Sequence, residues 1–183
     1  MVKNDPNLIH VPEELFETAE SRRFEGETVL GELAAGPDTY RFAAPVAWSV
    51  DITNTGDALL VMGTARARAA CGCARCLEEV TYDLEGDIEG YFIIGGADAV
   101  TPDDLEGDEF SRLPDNHVID MVPLIVSALL LELPLVPLCD DACQGLCPQC
   151  GANLNEGPCA CASDGGAAAG GPFAALKDFD FGV

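Results

Sequence analysis

Apolar and polar positions alternate over three long stretches in the first half of the chain. Val46, Trp48, Val50 and Ile52 are separated by Ala47, Ser49 and Asp51, which gives a strand with one apolar face. Thr53–Asp57 follows as a turn, with Gly56 available for positive φ. Alternation resumes from Leu59 to Cys71. Val61, Ala65, Ala67 and Ala69 share one face there, and Thr64, Arg66 and Arg68 the other. Val80, Tyr82, Leu84, Ile88 and Phe92 mark a further long strand, whose opposite face carries Thr81, Asp83, Glu85, Asp87 and Glu89. One buried and one solvated face is the pattern of an antiparallel meander. With a weaker strand near Thr28–Leu33, the expectation is an antiparallel sheet, or a partly closed barrel, of about four to six strands.

Helical spacing occurs twice. Val11–Gly26 has Pro near its start and Gly at its end, which predicts a short helix with Arg22 and Arg23 at its exposed end. Met121–Leu133 predicts a second helix, N-capped by Asp120 and tolerating Pro123 in its first turn. Its Leu124, Leu129, Leu130 and Leu133 would cover the sheet, and Pro134 and Pro137 would end it. The fold class is therefore α+β. The expected division is a sheet domain over 1–138 with an acidic loop at 95–116, a cysteine-rich module over 139–162, and a Gly/Ala linker and tail over 163–183. In the tail, Phe173, Leu176 and Phe179 read as a short docking segment.

Charge and cysteine content narrow the function. The 183 residues carry 9 Lys plus Arg against 32 Asp plus Glu, a formal net charge of −23. That field repels phosphate backbones, so direct non-specific RNA binding is disfavoured and a basic protein partner is attracted. Met1–His10 lacks a continuous apolar stretch, and the longest apolar run, Met121–Leu131, is too short to span a bilayer. A soluble cytoplasmic protein is expected, in which nine reduced cysteines favour metal binding or redox chemistry over disulfides.

Six of those cysteines lie between Cys139 and Cys161. Cys147-Pro148-Gln149-Cys150-Gly151 is the most specific element, since two thiolates so spaced grip one tetrahedral ion and Gly permits the turn beneath them. Cys139 and Cys143 upstream, or Cys159 and Cys161 downstream, complete a four-cysteine site. The segment has too few bulky apolar residues to fold alone, and soft sulfur ligands point to structural zinc. Thiolates also hold iron–sulfur centres. Cys73 and Cys76 form another C-x2-C pair at the end of the long strand. Counting permits two sites, Cys73, Cys76, Cys139 and Cys143 for one and Cys147, Cys150, Cys159 and Cys161 for the other, with Cys71 left over. A single site with Cys73 and Cys76 as reduced turn residues fits the spacing equally well. A thiol–disulfide role for Cys73 and Cys76 is opposed by Glu78 and Glu79, which raise a nearby thiol's pKa. A regulator that passes zinc on to another protein is a further reading.

His10 and His117 lie in expected loops without a neighbouring nucleophile, and neither a P-loop, a dinucleotide glycine motif nor HExxH occurs. The expectation is a non-enzymatic protein. Asp83, Glu85, Asp87 and Glu89 form an acidic face suited to a basic partner. Arg66, Arg68 and Arg75 are the local basic residues, placed either to touch RNA or to pair with carboxylates across the sheet.

Together these features resemble the YceD-like family of large-subunit ribosomal RNA accumulation proteins. The resemblance rests on Cys73-Ala-Arg75-Cys76-Leu77-Glu78 and on Ile119-Asp120 ahead of a helix ending in Leu133-Pro134-Leu135-Val136-Pro137-Leu138-Cys139. It rests further on the run Cys143-Gln-Gly145-Leu146-Cys147-Pro148-Gln-Cys150-Gly151-Ala-Asn153-Leu154-Asn155, and on Phe173–Lys177. The chain departs from the family in having Gly171-Pro172-Phe173 where an Asp-Pro-Arg is common, and in the additional Cys71. Family members without the C-terminal cluster imply that metal there supports structure. The resemblance implies a role in accumulating or maturing large-subunit ribosomal RNA. It also implies a large-subunit ribosomal protein (a small zinc-containing one) or a pre-ribosomal particle as partner, with RNA contact indirect.

Overall fold

A computed structural model describes residues 5–95 and 110–163. Among these residues nine strands and one helix follow one another: β1 (Leu8–His10), β2 (Ser21–Thr28), β3 (Glu32–Ala35), β4 (Asp38–Phe42), β5 (Val46–Asn54), β6 (Ala58–Gly72), β7 (Glu79–Ile93), β8 (Ser111–Arg112), β9 (Val118–Asp120) and α1 (Met121–Glu132). Short 3-10 turns lie at Glu13–Phe16 and Ala160–Ser163.

The main sheet is organised by β6. Along one edge it pairs antiparallel with β7 from Ala58↔Ile93 to Gly72↔Glu79. Along the other it pairs with β5 in its first half and briefly with β4 in its second, giving the order β2-β5-β6-β4-β3. β8 adds to the end of β7 in parallel, and β1 and β9 form a separate two-stranded ribbon. Among the described residues the sheet stays open, so the open-sheet form of the expectation holds, with more strands than the alternation alone resolved.

Alternation decides which face is buried. Val46, Trp48, Val50 and Ile52 of β5, Val61, Ala65 and Ala69 of β6, and Leu84, Ile88 and Phe92 of β7 form one apolar surface. α1 covers it with Met121, Ile125, Ala128 and Leu129, and burying each large side chain contributes about 1.5–3 kcal/mol. Gly86 of β7 is required for this packing, because a Cβ there would lie 2.4 Å from the Ala128 carbonyl oxygen. Asp120 caps the helix by accepting from the Val122 N–H at 2.9 Å, as its sequence position predicts.

Several local expectations are corrected. Val11–Gly26 does not form a helix: a single 3-10 turn gives way to β2. Pro12 makes no side-chain cap and Ala19 sits at φ +69°, which breaks helical continuation. The eight residues of β2 then pair with β5 from Ser21↔Thr53 to Thr28↔Val46, and the buried Thr28 hydroxyl accepts from the Trp48 indole N–H at 3.1 Å. Tertiary pairing overrides local propensity here. Arg22 and Arg23 accordingly lie on a strand, Arg22 over the Phe24 ring and Arg23 near Asp51. The weaker strand expected near Thr28–Leu33 lies instead at β3. On α1, Leu130 is 39% exposed and points away from the sheet that it was expected to cover. His10 belongs to β1, while His117 sits beside the Phe16 ring. Most of the expected acidic loop and nearly all of the tail, including Phe173, Leu176 and Phe179, lie outside the described residues.

Candidate metal centres

The β6–β7 hairpin closes through a loop rather than a two-residue turn. Cys73 N–H donates to the Glu78 carbonyl at 2.8 Å and Leu77 N–H to the Cys73 carbonyl at 2.9 Å, with Leu77 in the left-handed region at φ +64°. This winding turns the side chains of Cys73 and Cys76 toward one point. The chain leaving α1 arrives at the same point under tyrosine control. Tyr40 donates to the Pro134 carbonyl at 3.0 Å. The Tyr82 hydroxyl donates to the Leu138 carbonyl at 2.9 Å and accepts from the Leu138 N–H at 2.8 Å. Ala74 N–H donates to Pro137 at 2.8 Å. Cys139 is thereby delivered to the hairpin.

The result is a tetrad of Cys73, Cys76, Cys139 and Cys143, whose sulfurs all lie within 4.8 Å of one another. Cys73 Sγ is 3.9 Å from Cys143 Sγ, and Cys76 Sγ is 3.6 Å from Cys139 Sγ. Cys73, Cys76 and Cys143 are buried, with Leu138 and Leu146 packed against them. Arg75 clamps the incoming loop, donating from Nη1 to the Asp141 carbonyl at 3.1 Å and the Cys143 carbonyl at 2.9 Å. Asn155 reaches back to donate to Cys143 Sγ at 3.3 Å.

A second tetrad joins Cys147, Cys150, Cys159 and Cys161, again within 4.8 Å. The Cys147–Gly151 turn is closed by Gly151 N–H to the Cys147 carbonyl at 2.8 Å, and Cys147 N–H donates to Ala152 at 2.8 Å. A bridge between Leu146 and Asn153 braces it. The eight cysteines therefore divide into the two groups that counting allowed, and all nine are free thiols. Cys71 stays apart in the hydrophobic core, where burial pushes its thiol up.

The donor sets fit a single tetrahedral ion each. Metal–sulfur bonds of about 2.3 Å put the sulfurs of a tetrahedron about 3.8 Å apart, close to the separations found in the first tetrad. A polynuclear iron–sulfur cluster would bind its thiolates to different iron atoms and hold them farther apart. Electrostatics agree. Amide donors, chiefly the Cys76 N–H, pull Cys73 down to about 6, and the Cys150 N–H chiefly does the same for Cys147, also to about 6. Sharing the shell with Cys76 pushes Cys139 up to about 12, and Cys150 likewise pushes Cys161 up to about 12. Four thiolates so close cannot all be charged without a cation, and a dication removes that conflict.

The basic residues are accounted for differently from one another. Arg66 pairs with Glu85 and Arg68 with Asp83 across the β6–β7 ladder, both exposed, as the cross-strand reading predicts. Arg75 belongs to the first tetrad. Of Asp83, Glu85, Asp87 and Glu89 on β7, only Asp87 and Glu89 face uncharged neighbours, Thr64 and Met62. Tyr40 carries no signal in the sequence, while Tyr82 reads only as a strand residue and Asn155 only as the last residue of the Cys143–Asn155 run. Tyr82 alternates with Leu84 as a face residue, and nothing local to it indicates a carbonyl partner 56 residues away.

The fold and these thiol sets define a sheet protein whose C-terminal module is arranged around two four-thiol sets that could each hold a metal ion, one of them shared with a hairpin. The chain belongs to the YceD family: the family model described as "Large ribosomal RNA subunit accumulation protein YceD" matches residues 61–180. An uncharacterized protein of Mycobacterium tuberculosis is 36% identical over 107 residues, covering 58% of this chain and 50% of that one. A chloroplastic protein of Arabidopsis thaliana, named large ribosomal RNA subunit accumulation protein YCED homolog 1, is 26% identical over 162 residues, covering 76% of this chain and 50% of that one. Its namesake from Zea mays is 32% identical over 142 residues, covering 64% and 48%. The chain thus spans about half the length of the curated relatives it matches. No solved structure matches it. Among the described residues no helix is long and apolar enough to cross a membrane.

Proposed function

We propose that this protein is a non-enzymatic ribosome-biogenesis factor of the cytoplasm that supports accumulation or maturation of large-subunit ribosomal RNA. The single observation that carries the reading is membership of the family, whose matched segment contains both tetrads. Zinc is the metal we assign to them, as an all-sulfur tetrahedral set favours it over harder cations, and its role here is structural. Cys73, Cys76, Cys139 and Cys143 hold one ion and Cys147, Cys150, Cys159 and Cys161 the other. A structural ion leaves only as its module unfolds, which separates this reading from a regulator that exchanges zinc. The partner is a basic large-subunit protein or the pre-ribosomal particle containing it, with RNA reached indirectly, since a chain of net charge −23 repels phosphate. A thiol–disulfide role for Cys73 and Cys76 is the weaker reading, because two further thiols occupy the same shell.

The test is depletion of the protein in its host, with quantification of large- and small-subunit ribosomal RNA, alongside affinity capture with and without ribonuclease. The expected result is a selective fall in the large-subunit species and ribonuclease-resistant capture of large-subunit proteins. Unchanged RNA ratios with no ribosomal component captured would remove the assembly reading.

A further inference from the structure

β7 pairs with β6 over its whole length, whereas among the described residues its other edge meets only β8, at Phe92 and Ile93. Toward the first tetrad, the Tyr82–Leu138 hydrogen bonds hold the chain leaving α1 against that end. Between these limits a groove of about 330 Å³ runs beside α1, lined by Asp87, Glu89, Leu124, Ser127, Leu131 and Glu132. Its two sides differ in character. Asp87 and Glu89 project from the polar face of β7, opposite Thr64 and Met62, and among the described residues no salt bridge neutralises them, unlike Asp83 and Glu85. On the α1 side, Leu131 is 84% exposed and Leu124 half-buried.

We infer that the edge of β7 between Glu85 and Tyr91 receives an extended segment of a partner protein in which Lys or Arg alternates with apolar residues. An unpaired strand edge presents backbone donors and acceptors in the register an added strand requires. Alternate side chains of that strand fall on the face of Asp87 and Glu89, and the intervening ones on the side of Leu124 and Leu131. Charge selects the occupant. Asp103, Asp104, Glu106, Asp108 and Glu109 make the chain's own following stretch a poor match. The opposite sheet edge, β2, balances Arg22 and Arg23 against Glu25 and Glu27 and offers no net negative charge to a basic strand. This inference deepens the partner reading above. Its test uses purified components, so it fails separately from the ribosomal RNA measurement.

The probe is a nine-residue peptide alternating Lys and Val, compared with a peptide of the same composition in two blocks. Binding to the full-length protein is followed by fluorescence anisotropy near physiological salt, and amide hydrogen exchange is mapped over residues 85–91. The alternating peptide is expected to bind more tightly than the block peptide and to slow exchange in that stretch. The double variant Asp87→Lys/Glu89→Lys should weaken binding roughly tenfold, because two cross-strand attractions become repulsions. Leu131→Asp should weaken it as well. Glu25→Lys/Glu27→Lys on β2, which changes the net charge equally, should leave affinity within about twofold. Equal losses in the two double variants, equal binding of the block peptide, or protection in the free protein of those amides of 85–91 that do not donate to β6 would overturn the inference.

Discussion

The two cysteine tetrads have the same composition and different jobs. The first joins positions separated by 63 and 70 residues, Cys76 with Cys139 and Cys73 with Cys143, and sits on a hairpin continuous with the main sheet. The second is assembled entirely between Cys147 and Cys161, with Cys150 exposed and Cys159 and Cys161 half-buried. An ion in the first closes a long loop and fastens the C-terminal module to the hydrophobic core. An ion in the second replaces a core that the module lacks. Loop closure scales with chain separation, and burial adds to it, so equal coordination chemistry should yield unequal contributions to the stability of the whole.

The largest expected effect separates the two directly. Cys73→Ser and Cys150→Ser should each lower bound metal from two ions per chain to one. Cys73→Ser should also lower the thermal midpoint of the sheet by more than about 10 °C, because the module and the Tyr82-anchored segment lose their fastening. Cys150→Ser should leave that midpoint nearly unchanged and speed amide exchange only within about 144–161. Metal analysis with calorimetry and exchange mapping reads all of this. Equal midpoint losses would end the division of labour.

Gly145 lies between the tetrads and sharpens the comparison at intermediate size. It sits at φ +72°, and a Cβ there would lie 3.0 Å from the Arg75 carbonyl oxygen, which accepts from Leu146 N–H at 3.2 Å. Its own carbonyl accepts from Leu154 N–H at 2.9 Å, so the same residue touches the framework of both sites. Gly145→Ala should destabilise by about 1–2 kcal/mol in denaturant unfolding, with both ions retained. Loss of both ions would mean that the tetrads are one cooperative unit.

What was legible in the sequence follows the same division. Period-two alternation located β5, β6 and β7 because each has one face on the core, and Asp120 announced α1 by its capping chemistry. Of the second tetrad, the pair Cys147 and Cys150 was legible in its spacing, while Cys139 and Cys143 or Cys159 and Cys161 stood as equal completions. The first remained one of two equal readings, because joining Cys73 to Cys139 depends on Tyr40 and Tyr82 holding Pro134 and Leu138, contacts that leave no local periodic trace. β2 was misread as helix for a related reason. Its alternation of Arg22, Phe24 and Gly26 with charged residues acquires meaning only beside β5, and Pro12 and Gly26, at the two ends of the stretch Val11–Gly26, mimic helix ends.

Arg75 and Arg68 give the smallest and most discriminating comparison, as both are exposed arginines of the same hairpin. Arg68 meets Asp83 in an exposed ion pair at 2.7 Å, which salt screens and whose attraction is offset by the entropy of ordering two long side chains. Arg68→Ala should leave the thermal midpoint within measurement error, most clearly at high salt. Arg75 instead satisfies two backbone carbonyls of the loop that carries Cys143, a contact in which the geometry of the first tetrad depends on its guanidinium. Arg75→Ala should cost about 1 kcal/mol and accelerate metal loss to a chelator from one ion of the two. Arg75→Lys should recover little of it, since a compact ammonium lacks the planar fork of the guanidinium. If Arg68→Ala proved as costly as Arg75→Ala, the ion pairs across β6 and β7 would carry structural weight, and the assignment of Asp87 and Glu89, without an ion pair among the described residues, to a partner would need a different electrostatic basis.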